Sequence, residues 1–156
     1  MDADELDWNR TLREQWEFHG SHQLRARLDG LTDDEYFWSP VPDARSVRPR
    51  GSSTAPVQFG AGDFTMDYAF PEPVPAALTT IAWRLGHVIV GVLAARNAAH
   101  FGAPTASYET WQYADSAATA LDQLEAQLDV WPAGVPGLGD AGLRVHTKPA
   151  TNGATR

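Results

Sequence analysis

Prolines are distributed so unevenly along this chain that they divide it before any other feature is weighed. Seven of the eleven fall between Pro40 and Pro75. Proline lacks an amide hydrogen and clashes with the preceding turn, so no helix crosses that stretch. Before it, Leu6, Trp8, Leu12, Trp16, His19, Leu24 and Leu28 keep an approximate helical spacing, which predicts one amphipathic helix from Leu6 to Leu31. Gly20 is its weak point and Gly30 its stop. Thr32-Asp-Asp-Glu35 then spells a capping box, predicting a short helix whose Tyr36, Phe37 and Trp38 cover one end of the core. Inside the proline-rich excursion, Val57 and Phe59, then Phe64, Met66, Tyr68 and Phe70, alternate with other residues across Gly60–Asp63. That period of two predicts a short hairpin or two extended pieces.

After the excursion the helical period returns. Leu78, Ile81, Leu85, Val88, Val92 and Ala95 recur at steps of three and four. They predict a second helix from Pro75 or Ala76 to His100, with Gly102 at its stop. Trp83, Ile89, Val90 and Leu93 occupy the other faces, so this helix should be central and well buried. Leu121, Leu124, Leu128 and Trp131 mark a third helix from Asp115 or Ser116 to about Trp131, which Pro132 stops or sharply kinks. A run of glycines and prolines follows, and residues 144–156 read as a loose tail after a single domain covering 1–143.

Charge and composition remove several function classes. The net charge is −8, where a nucleic-acid binder would show a basic face. No cysteine is present, which excludes disulfides, thiolate ligands and cysteine nucleophiles. The start of the chain is acidic where a secretory signal needs positive charge. The most apolar stretch, 81–95, is interrupted by Arg84 and His87 and is too short to span a bilayer. The expectation is a cytoplasmic protein that binds neither nucleic acid nor membrane.

The candidate chemistry rests on histidine. His87 sits in the middle of the most apolar helix, where an imidazole needs partners for its ring nitrogens. Gly86 and Gly91 leave room beside it. It reads either as a metal ligand or general base in a bundle cavity, or as a core histidine bonded to a neighbouring element. His19 and His22, three apart on the first helix, could clamp a metal together with His87, or be surface residues. His100 lies where a helix dipole favours positive charge, and His146 falls in the tail. No phosphate-binding glycine loop and no nucleophile elbow is present.

Three strings carry a resemblance. "HQLRARLDGLTDDEYFWSPVPDARSVRPR", "TTIAWRLGHVIVGVLAARNAAHFG" and "YETWQYADSAATALDQLEAQLDVW" resemble the actinobacterial branch of the DinB-like proteins, over Leu12 to Leu143. The resemblance implies an all-α, up-down four-helix bundle with a long connection between the first two helices. It also implies a divalent metal, zinc or nickel, held by three histidines, with His87 in the second-helix position. The implied activity is a metal-dependent transferase or isomerase using a low-molecular-weight thiol such as mycothiol. The fourth helix with its histidines is missing from the pattern after Leu143, so the reading is a truncated or frame-shifted relative of doubtful activity. The alternative is a non-catalytic bundle that self-associates, and a homodimer is expected either way.

Overall fold

A computed structural model describes residues 7–145. Helix α1 spans 8–28, passing from Trp8–Glu17 through a wider π-helical stretch, Phe18–Arg25, to a last turn at Ala26–Leu28. The Asp7 side chain caps it by accepting from the Arg10 N–H. The chain leaves through Gly30 at φ 75°, a conformation that glycine adopts without steric cost. Helix α2, Asp33–Phe37, starts with the capping box read from the sequence: Thr32 accepts from the Glu35 N–H and Glu35 from the Thr32 N–H. Tyr36 is buried, but Trp38, expected to cover the core, is 65% exposed.

The excursion is more than a hairpin. Strands β1 (Val47–Pro49), β2 (Val57–Phe59) and β3 (Phe64–Tyr68) form an open antiparallel sheet in the order β1-β3-β2. Met66 lies opposite Val47 on one side and Phe59 on the other, and Val47 and Met66 join the main core. Asp67, on the alternate face of β3, is also buried. It accepts from the Ser46 N–H at 3.0 Å, from Arg48 Nε at 3.0 Å and from the Ser53 hydroxyl. Those bonds compensate its lost hydration.

A second non-local contact sets the next helix. The Arg45 N–H donates to the Leu78 carbonyl at 2.8 Å, and the Thr80 N–H donates back to the Arg45 carbonyl at 3.0 Å. Residues 78–80 are thereby held extended, so helix α3 spans 81–101 and does not begin at 75 or 76. Thr80 caps it by accepting from the Trp83 N–H, and Gly102, at φ 66°, closes it. The buried face also differs from the expected stripe. Ala82, Leu85, Gly86, Ile89, Val90, Leu93 and Ala94 are buried, whereas Leu78, Ile81 and Val92 are exposed. The face with small residues turns inward because it lets the sheet and the following loop approach closely. A Cβ on Gly86 would stand 3.1 Å from Met66 Sδ and 3.3 Å from the Tyr113 ring.

Helix α4, Ala117–Leu128, is capped by Ser116, which accepts from the Thr119 N–H. Pro132 does not end the helical structure. It sits in the first turn of a new helix α5, Val130–Leu143, where amide hydrogens have no helical partner and proline is tolerated. The true interruption is Gly139, at φ 56° and ψ −175°. Helix α5 packs on α1 through a Trp16–Trp131 stack at 5.0 Å and a bond from Asn9 Nδ2 to the Val135 carbonyl at 2.7 Å. Among the described residues the architecture is an all-α bundle of three long helices, α1, α3 and α4, with the short α2 and the interrupted α5 beside them. The expected tail lies almost wholly outside the described residues. Among the described residues no helix is long and apolar enough to cross a membrane.

Candidate functional site

Helix α3 presents His87 on the side facing the sheet and the loop before α4. The glycine one turn on, Gly91, leaves the space that the Tyr108 ring occupies: a Cβ there would fall 1.9 Å from the Tyr108 hydroxyl. Tyr108 bonds His87 Nδ1 at 2.7 Å, its ring nearly parallel to the imidazole at 6.0 Å. Trp83, one turn earlier, stacks on the imidazole at 5.4 Å and 14°. Its indole N–H donates to the Asp67 carbonyl at 2.8 Å. Tyr68, from the end of β3, packs edge-on against Tyr108 at 5.4 Å and tilted against Trp83 at 5.8 Å. Tyr113 fixes the loop by donating to the Tyr108 carbonyl at 3.2 Å.

Burial determines who carries the protons. It pushes the His87 imidazole below its ordinary value. It pushes the Tyr108 phenol up, against opposing effects from a Tyr68 hydrogen bond and from Arg96. Tyr68 is raised further, by burial and then by Tyr108 and Tyr113. At neutral pH the imidazole is therefore neutral and the phenols protonated. Tyr108 donates to Nδ1, the remaining imidazole proton is assigned to Nε2, and the Tyr68 hydroxyl meets Met66 Sδ at 4.0 Å. Beside this relay lies a cavity of 300 Å³ lined by Phe59, Tyr68, Phe70, Val90, Gly91 and Tyr108, among others. That volume is at the lower end of small-molecule sites.

The other histidines do not join it. His19 and His22 are exposed on α1, their rings against Phe18 at 5.4 and 5.5 Å. His19 opens instead onto a groove between α1 and α3 with Trp16, Val88 and Leu93. His100 lies in the last turn of α3, its ring against Phe101, and His146 is outside the described residues. Among the described residues no group of three or more His, Cys, Asp or Glu side chains is placed to hold a metal. This overturns the expectation of a zinc- or nickel-dependent, mycothiol-linked transferase or isomerase. The clamp of His19, His22 and His87 does not form, and a thiol would find no ligated ion to lower its pKa. Metal-dependent activity thus lacks its ligand set in the described chain.

The sequence singled out His87 but missed Trp83, Tyr68 and Tyr108. The signal that could have found Tyr108 was the glycine four residues after His87, which only has a purpose if a large side chain enters there. Comparison with curated proteins and with solved structures finds no match. Comparison with protein families finds one, the DinB superfamily, over residues 15–155.

Proposed function

The chain belongs to the DinB superfamily, and from that premise we propose that it is a metal-independent member that binds a small, mainly apolar molecule in the chamber beside Tyr108. One observation carries the reading. The space around the helix-borne histidine is occupied by a protein phenol at 2.7 Å from Nδ1, and the adjoining cavity is walled by aromatic and aliphatic side chains. Such a wall favours an apolar body, with the phenol hydroxyls as the polar fixing groups.

Cyclohexanol, an apolar ring with one hydroxyl, is a suitable probe. Saturable quenching or enhancement of tryptophan fluorescence, with a rise in melting temperature, is expected in the wild type. Both should vanish in Ala95→Phe, which fills the chamber from the wall that Ala95 supplies. A wild type that gives no saturable response, or an Ala95→Phe variant that responds equally, overturns the proposal.

A second reading concerns association. No residue of Trp8–Glu17 is buried, and Trp8, Leu12 and Phe18 stay between 41% and 49% exposed. Covering these side chains with a second copy favours a homodimer. Light scattering at rising concentration should show the dimer, and Leu12→Glu should return it to the monomer.

A further inference from the structure

The excursion carries a second cavity that the aromatic chamber does not explain. It measures 550 Å³ and is lined by Arg45, Arg48, Ser52, Thr54, Asp67 and Tyr68, among others. Its polar groups are not equally committed. Arg48 is tied on two sides: Nε donates to Asp67 at 3.0 Å and Nη2 to the Ala44 carbonyl at 2.9 Å. Arg45 is different. The residue is 9% exposed, Nη1 meets Glu72 Oε2 at 3.0 Å, and the buried Nη2 has no hydrogen-bond partner. A guanidinium presents two parallel N–H groups suited to both oxygens of one carboxylate, yet here only one is engaged.

The group that engages it is weakly held. Glu72 has a side chain 55% exposed and lies within a run, 70–76, that is exposed throughout. A further unpartnered buried atom sits next door. Thr79 Oγ1 has no hydrogen-bond partner, and Thr79 is the residue bridged to Arg45 across the start of α3. Ser52 and Thr54 line the same cavity from the loop between β1 and β2.

We propose that this cavity is a binding site for a small carboxylate, which engages both Nη atoms of Arg45 and displaces Glu72, an internal stand-in for it. A carboxylate is the better fit than a larger tetrahedral anion. The seat already accepts one, and the free donor beside it is the second tine of a planar fork.

The test is an amide NMR titration of the whole protein with acetate and with succinate, against chloride at constant ionic strength. Saturable shifts are expected at Arg45, Glu72 and Thr79 with the carboxylates alone. Glu72→Gln removes the internal competitor from an exposed position and should bind about tenfold tighter, the gain for a seat that Glu72 holds about nine-tenths of the time. Arg45→Lys keeps the charge but loses the fork, and should abolish saturation while the spectrum stays folded. A Glu72→Gln variant that shows no saturable carboxylate response, or binds no tighter than wild type, overturns the proposal. So does a response to inorganic phosphate that acetate fails to reproduce.

Discussion

Replacing Gly91 by alanine asks whether Tyr108 holds His87 in the way described. The new methyl would lie 1.9 Å from the Tyr108 hydroxyl oxygen and 2.8 Å from Cζ. Carbon and oxygen in close contact stay roughly 3.3–3.6 Å apart, so the phenol must retreat by about 1.5 Å. That takes the 2.7 Å bond to Nδ1 beyond hydrogen-bonding range. A half-buried imidazole without its donor costs about 1–3 kcal/mol. Repacking the displaced ring against Tyr68 adds about 1–3 kcal/mol. Alanine's better helix propensity offsets about 1 kcal/mol of this. The net loss is about 1–5 kcal/mol, a fall in melting temperature of about 2–20 °C for a chain of this size. Urea denaturation followed by tryptophan fluorescence measures the first figure. NMR titration of the His87 ring gives an independent check, because solvent admitted by the retreating phenol should raise its pKa toward 6.5 from the lowered value that burial imposes. An unchanged denaturation midpoint together with an unchanged His87 titration would refute the packing of Tyr108 on Gly91.

Three further outcomes are expected. Because the folded-state pKa of His87 is lowered from 6.5, the unfolded chain binds more protons between the two values. Its contribution is complete above the unfolded pKa and is lost as pH falls through 6.5 toward the folded value. Urea midpoints across about pH 5–8 should show this slope in wild type and a shallower one in His87→Phe; an equal slope in both contradicts it. Asp67→Ala leaves Arg48 and the Ser46 N–H without their acceptor. Because that carboxylate is 4% exposed, the loss should be about 3–5 kcal/mol, read from the same denaturation assay. Gly134→Ala puts a methyl 2.3 Å from Phe101 Cδ1, so α5 must shift against α3 at about 1–3 kcal/mol. Near-ultraviolet circular dichroism should report the change at Trp131, which Phe101 meets edge-on at 5.4 Å.

What the sequence disclosed was governed by locality. The capping box at Thr32 and Glu35, the stop at Gly102 and the alternation in β3 all depend on residues within a few positions, and each is visible in the chain. The start of α3 is not of that kind. Arg45, more than thirty residues upstream, ties down residues 78–80, so the helical period of Leu78 and Ile81 is present in the sequence but unused. Pro132 misleads for a related reason. As an interior residue it breaks a helix, as a first-turn residue it starts one, and only the position of the Asp129 junction decides which. His87 stood out because an imidazole in an apolar helix requires a partner. Its partner comes from a loop with no period, so nothing in the residues near Tyr108 announces the bond.

The alternation of β3 links the core, the polar junction and both cavities. Met66 enters the core, Asp67 gathers Ser46, Arg48 and Ser53, and Tyr68 borders both the aromatic chamber and the Arg45 cavity. A strand buried at 65–67 cannot leave a carboxylate on its second face without donors. The arginines and serines of the excursion are therefore required by Asp67 before they serve any ligand. That requirement explains why Arg48 is bonded to Asp67 while Arg45, which Asp67 does not engage, retains a free donor. Trp83 depends on the same residue, since its indole N–H rests on the Asp67 carbonyl while its ring stacks on His87. The position of the histidine in this bundle is thus set by the sheet that the proline-rich connection builds.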